Sequence, residues 1–129
     1  MSDAVSQFAK AKYLSLETFR KTGAGVRTPV WFVADGAETG QARFYVYSEA
    51  DAGKVKRIRN NAKVRVAPCN FRGDLRGAWV DGQARICVAE EAARGQQLLR
   101  SKYGLQKIVG DFFSRLMRHK TVMLAIELG

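Results

Sequence analysis

The sequence predicts a mainly β protein, a small β-barrel with peripheral helices, folded as one domain over residues 1–129. Three observations predict it. Segments in which aromatic or β-branched residues alternate with smaller or polar ones recur along the chain, as a pleated, half-buried strand requires. After a short opening helix, helical stretches interrupt these segments at two places, between the third and fourth strands and, as a pair, before the last. That order suits a barrel with outer helices better than a doubly wound sheet. The 129 residues also contain no Pro-rich or Gly/Ser-rich linker, and they are enough to bury a core without disulfides or metal.

Residues 1–12 are expected to form an N-terminal helical arm, with Phe8 and Ala11 on the apolar side of a weakly specified helix over Ser6 to Lys12. Tyr13 to Phe19 reads as the first strand. Lys21 to Gly25, Lys-Thr-Gly-Ala-Gly, is turn chemistry that needs residues tolerant of positive φ. A hairpin follows, and its second strand runs from Val26 to Ala34. Within it Pro29 removes a ladder donor, so that point is an edge, a bulge or a place where something other than a strand pairs, a ligand included. Asp35 to Gln41 is a polar loop, and Arg43 to Ser48 is the third strand, expected to pair with the second.

The densest stretch comes next. Asp51 is expected to cap a helix, Gly53 leaves its first turn without a side chain, and Lys54 sets an ammonium beside backbone N–H groups that have no helical partner. Free amides and the helix dipole both favour negative charge there, and the glycine lets an anion approach the backbone. Gly53 and Lys54 therefore form an expected phosphate seat. Lys54, Lys56, Arg57, Arg59, Lys63 and Arg65 follow without an acidic residue among them. Val55, Ile58 and Ala62 supply the buried stripe, which turns Lys56 and Arg59 to water, so a solvated face explains most of this run.

Lys63 to Pro68 is the fourth strand, and Asn70 to Gly77 is a basic loop with two glycines. Ala78 to Val88 resumes strand character, interrupted at Asp81-Gly82 by a bulge or tight turn. Ala89 to Lys102 is helical, with Glu90 and Glu91 in the first turn where the dipole favours them, Gly95 as a weak point and Gly104 as the C-cap. Leu105, Ile108, Val109, Phe112, Phe113, Leu116 and Met117 recur at three- and four-residue spacing and predict an amphipathic helix over Leu105 to Arg118. Thr121 to Leu128 is the sixth strand.

The formal net charge of +10 draws the chain toward nucleic acid, anionic membrane or phosphorylated small molecules without choosing among them. Cys69 and Cys87 are too few and too far apart for a metal motif or a redox pair, and His119 is the one histidine. A zinc site is therefore excluded as a working hypothesis, as is any histidine-based triad without His119. No apolar run has signal-peptide or membrane-spanning length, and a cytoplasmic protein is expected.

The succession Thr28-Pro29-Val30-Trp31-Phe32, Tyr45-Val46-Tyr47-Ser48, Asp51-Ala52-Gly53-Lys54-Val55-Lys56-Arg57-Ile58-Arg59-Asn60-Asn61 and Arg76-Gly77 resembles the pyridoxamine 5′-phosphate oxidase-like, FMN-binding split barrels. It is most similar to the branch dependent on the deazaflavin coenzyme F-420, over roughly residues 8–128. The resemblance implies a six-stranded split barrel working as a homodimer, with the flavin or deazaflavin ring between subunits. It implies that Arg27, Thr28, Pro29, Val30 and Trp31 line the ring, and that Tyr47 and Ser48 end the neighbouring strand beside the ribityl chain and phosphate. Lys54 then holds the phosphate with Gly53, Arg57 assists by its field, and Arg76 and Gly77 approach the cofactor, from this subunit or its partner. Two departures set an expectation against true pyridoxamine-phosphate oxidase activity: Gly53 stands where the oxidase carries a basic residue, and the sequence closes Ile126-Glu127-Leu128-Gly129 without the oxidase's substrate-binding arginine and histidine.

The function implied is a flavin- or deazaflavin-dependent oxidoreductase, passing a hydride between FMN or coenzyme F-420 and a small organic substrate. The lack of a carboxylate dyad or metal cluster is no objection, because the cofactor carries the chemistry. Trp31, Tyr45, Tyr47 and Trp79 are candidate stacking partners, and Tyr47 is a candidate proton donor by position alone. A non-catalytic binder of a flavin or another planar ligand is the alternative, and nucleic-acid binding is a minor one resting on charge.

Overall fold

A computed structural model describes residues 6–35, 43–103 and 121–128. Its elements in chain order are β1 (Tyr13–Phe19), β2 (Gly25–Trp31), β3 (Val33–Asp35), β4 (Arg43–Glu49), α1 (Gly53–Asn60), β5 (Lys63–Cys69), β6 (Val80–Ile86), α2 (Ala89–Tyr103) and β7 (Thr121–Leu128). The strands form one antiparallel sheet in the order β2-β1-β5-β6-β7-β4-β3. Its two edge strands, β2 and β3, are consecutive in sequence and separated by Phe32 alone. Seven strands laid flat would set those edges roughly 29 Å apart, which one residue cannot bridge. The sheet therefore curls until its edges meet, and Phe32 sits at the seam.

The strand expected over Val26 to Ala34 is thus two strands. Phe32 leaves the ladder because its backbone is held elsewhere: its N–H donates to the Tyr103 hydroxyl at 3.1 Å and its carbonyl accepts from Lys102 Nζ at 2.8 Å. Both partners stand at the end of α2. The Tyr103 hydroxyl also donates to the Lys12 carbonyl at 2.6 Å, fastening α2, the seam and the start of β1 at one point. The expected pairing of the second and third strands is present in its β3 portion, with Val33 opposite Tyr45.

Strand alternation produces two buried layers. On the inner face Leu14, Leu16, Phe44, Val46, Val64, Val66, Leu124 and Ile126 are fully buried, and the rings of Phe8, Phe32 and Phe44 meet at 4.9 to 5.9 Å. On the outer face Val33, Tyr45, Met123 and Ala125 pack with Leu99 of α2. The two layers explain why β4 is buried on both sides.

The β1–β2 hairpin turns through Gly23 at φ +91°, as the glycine-rich turn predicts. Val55 and Ile58 are the buried side of α1, whereas Ala62 lies beyond its end and is exposed. Asp51 does not cap this helix. Ala52 holds the capping position and makes no side-chain bond, so Asp51 stands one residue too early for its carboxylate to serve the first-turn amides. Strand β6 runs unbroken through Asp81-Gly82; Gly82 is needed because a Cβ there would lie 2.9 Å from the Glu127 carbonyl of β7. Ser6 is helical and residues 7–10 make turns, with Ala9 N–H to Ser6 O and Ala11 N–H to Phe8 O both at 3.1 Å. The expected helix over Leu105 to Arg118 and its preceding Gly104 lie outside the described residues. No described helix is long and apolar enough to cross a membrane.

Candidate functional site

The sequence-predicted residues other than Tyr47 fall along a line set by the β1–β2 hairpin. At one end stands the head of α1. Its capping position makes no side-chain bond and its first turn holds no acid, so the amides and dipole there are uncompensated. Arg57 folds back over this end. Its Nε donates to Thr18 Oγ1 at 2.6 Å, and its Nη1 lies 2.8 Å from where a Cβ on residue 53 would be. Gly53 therefore makes room for a guanidinium.

Burial, and then Arg20, push the Arg57 pKa down. Lys54 is half-buried; burial lowers its pKa first and Arg57 second, while Glu49 acts in the opposite sense. Two cations held against the positive end of a helix raise the energy of the site, and an anion relieves it. Beside Arg57 is a cleft of ≈ 240 Å³ lined by Phe19, Arg20, Lys21, Gly53, Lys56, Arg57 and Asn60. It contains four cations and no carboxylate among the described residues, and Lys54 is not in its lining.

Ser48, at the end of β4, is buried and its hydroxyl donates to the Glu49 carbonyl at 3.1 Å. Alternation sends its neighbour the other way. Tyr47 packs against the outer layer of Val33, Tyr45, Leu99, Met123 and Ala125, and burial pushes its phenol up to about 12. It is protonated at neutral pH but lies off the line, under α2.

Along the middle runs β2, an edge strand, which is where a proline is tolerated. Arg27 pairs with Glu17 at 3.0 Å and lies 4.9 Å over the Trp79 ring, while Arg65 pairs with Glu17 at 2.5 Å and lies 4.8 Å over the same ring. Glu17 is only 4% exposed, and although burial would raise its pKa, hydrogen bonds from Arg27 and Arg65 bring it below the usual value. Thr28 Oγ1 is buried without a hydrogen-bond partner. Pro29 is exposed opposite Ser15, Val30 is buried, and Trp31 stacks on Tyr103 with centroids 5.4 Å apart.

Arg76 and Gly77 stand at the far end. The loop that carries them approaches β2, since a Cβ on Gly73 would lie 4.0 Å from Pro29 Cδ. The Arg76 side chain lines a second cleft of ≈ 410 Å³ with Tyr13 and Phe71, and Gly77 is wedged against Pro68, whose Cγ is 2.7 Å from a Cβ position there. Phe19 lines the first cleft and Tyr13 the second, so the two are separated by the length of β1, about 20 Å. Within one chain Gly53, Lys54 and Arg57 come together, Arg27 to Trp31 run between the ends, and Arg76 with Gly77 remain apart from the α1 head.

Sequence reasoning missed Thr18, Arg20 and Lys21, which join the α1 head across the hairpin. The basic turn Arg20-Lys21 was the available signal, but nothing local says that it folds onto α1.

Solved structures share this architecture. The heme storage protein HutZ of Vibrio cholerae is 12% identical with a TM-score of 0.71, over 97% of this chain and 87% of its own. An F-420 reductase is 18% identical with a TM-score of 0.67, over 100% and 95%. A Listeria innocua protein assigned as a pyridoxamine 5′-phosphate oxidase is 15% identical with a TM-score of 0.64, over 96% and 89%. At these identities the likeness is one of fold. No family model and no curated protein matches the sequence.

Proposed function

For a chain with the split-barrel fold of the pyridoxamine 5′-phosphate oxidase-like proteins, we propose an oxidoreductase that uses FMN or coenzyme F-420 to pass a hydride to or from a small organic substrate. The observation that carries this reading is the α1 head, where Gly53, Lys54 and Arg57 gather positive charge with no carboxylate in the first turn, at the start of the edge strand that carries Pro29. The residues fit the group. A phosphate suits the uncompensated amides and the two cations.

When bound, the cofactor supplies the hydride chemistry. The chain's part is to bind and orient. Gly53, Lys54 and Arg57 hold the phosphate, Ser48 closes the adjoining end of β4, and Arg27, Thr28, Pro29, Val30 and Trp31 line the ring. Arg76 and Gly77 border the ring end, in a homodimer that holds the cofactor between subunits. Tyr47, kept protonated by burial, is a proton reserve only if α2 lets the ring side reach it. The reading places the protein in the cytoplasm.

The likeness to a heme storage protein favours one second reading, a binder of a planar ligand that turns nothing over. Turnover separates the two. The purified chain is loaded with FMN or coenzyme F-420, the cofactor is reduced chemically, and a quinone is added as acceptor. Reoxidation accelerated by the protein supports the oxidoreductase; binding without acceleration across a panel of acceptors supports the storage reading. Absence of binding defeats both.

A further inference from the structure

A cleft of ≈ 410 Å³ lies at the Tyr13 end of β1. We propose that it seats a planar aromatic anion, an aryl carboxylate in its simplest form. Its size is that of a small-molecule pocket. Lys10, Lys12 and Arg76 supply cations to its lining, and no carboxylate stands among the described lining residues. Tyr13 and Phe71 contribute rings, over a floor that includes Pro68 and Cys69. The Cys69 thiol, pushed up by burial, stays neutral and adds no charge.

The walls are held in place before any ligand arrives. Phe71 is 65% exposed and takes no part in the core. The loop that presents it is stapled by Asn70, whose Oδ1 accepts from the Arg72 and Asp74 N–H groups at 2.9 Å each and whose Nδ2 donates to Asp74 Oδ2 at 3.0 Å. The loop's one acid is thereby engaged within the loop. On the other side the Gln7 amide is fixed by two bonds of 2.8 Å to the Ala78 backbone. An exposed ring on a hydrogen-bonded loop, in one lining with Arg76, matches a ligand that offers a planar face and a carboxylate together.

The cleft borders Trp31 through Tyr13, with ring centroids 6.5 Å apart, at the end of β2 assigned to the cofactor ring. Its role as the seat of the hydride-exchanging substrate rests on the proposed oxidoreductase function; its ligand class does not.

The test is calorimetric titration of the full chain with 1-naphthoate, with 1-naphthalenemethanol as the neutral counterpart and decanoate as the non-planar anion. One saturable naphthoate site is expected, with both comparison ligands at least ten-fold weaker. Arg76→Ala and Phe71→Ala are each expected to weaken naphthoate ten-fold or more without lowering the melting temperature, since both side chains are exposed. No saturable naphthoate binding, decanoate binding as tight as naphthoate, or full affinity in either variant would overturn the proposal. Naphthoate binding with no affinity for FMN or coenzyme F-420 would keep the site and remove its role as a substrate seat. Cofactor binding without naphthoate binding would defeat this inference alone.

Discussion

Arg57 donates its Nε hydrogen to Thr18 Oγ1 at 2.6 Å, reaching from α1 to β1 across the space that a side chain on Gly53 would fill. The hydroxyl fixes the guanidinium, and the glycine admits it. Together they tie the head of the helix to the hairpin and place a cation where the helix already presents unpaired N–H groups.

Gly53→Ala tests that arrangement. The new Cβ would meet Arg57 Nη1 at 2.8 Å and displace the guanidinium. Alanine favours helix by roughly 0.5 to 1 kcal/mol over glycine in a helix interior, so stability should hold or rise slightly. Affinity for FMN or coenzyme F-420 should fall about ten-fold, because Arg57 is driven from the seat. Melting curves and titrations on the same preparation separate the effects, and unaltered affinity would take Arg57's placement out of the site.

Lys54→Ala should weaken the cofactor on the order of ten-fold or more, as expected for a charge-assisted hydrogen bond worth ~1.5 to 3 kcal/mol. Motif spacing alone ranks Arg57 below Lys54. The structure sets Arg57 in the lining of the adjoining cleft and Lys54 outside it, and we therefore expect Arg57→Ala to cost at least as much. A much smaller loss for Arg57→Ala would restore the ranking drawn from the motif.

Glu91 predicts an acid limit to stability. It accepts hydrogen bonds from Arg85, at 2.8 Å through Nη2, and from the Tyr45 hydroxyl at 3.1 Å, and pairs with Arg43 at 3.3 Å. The Arg85 bonds, aided by Tyr45, bring its pKa down from 4.5 to about 2 against the opposing effect of burial. A depressed carboxylate stabilises the fold above its unfolded pKa, and the contribution disappears as pH falls from about 4.5 toward about 2. Its size is roughly 3 kcal/mol. Urea denaturation across this window should show stability falling for the parent chain and falling less steeply for Glu91→Gln; equal slopes would deny Glu91 the role.

Gly82→Ala should destabilise by roughly 1 to 3 kcal/mol. Its Cβ would lie 2.9 Å from the Glu127 carbonyl, which is backbone and cannot swing away, and 3.2 Å from Leu128 Cδ2. The urea midpoint reads the effect directly, and an unchanged midpoint would mean that β6 and β7 have room to separate.

The strands whose alternation is strong were legible from sequence: β1, β5 and β7 run where the pattern places them, to within a residue. So were Val55 and Ile58 as the buried side of α1. What stayed hidden depends on partners far along the chain. The break at Phe32 is made by Tyr103 and Lys102, 71 and 70 residues away in sequence, and no residue near Phe32 announces it. Gly82 looks like a turn residue in sequence and is instead a point of close approach between strands. Within the candidate site, Gly53 and Lys54 were visible as a pair at a helix start. The anchoring of Arg57 on Thr18, and the arrival of Arg20 and Lys21, follow from hairpin and helix packing that spacing does not encode.

The most direct test of the central claim is a fluorescence titration of the purified chain with FMN and with coenzyme F-420, at low and moderate salt, beside Lys54→Ala. We predict saturable binding of at least one cofactor at one site per chain, surviving moderate salt and weakened ten-fold or more by the substitution. Binding of neither cofactor, or binding that Lys54→Ala leaves intact, would contradict the assignment of the α1 head as the phosphate seat.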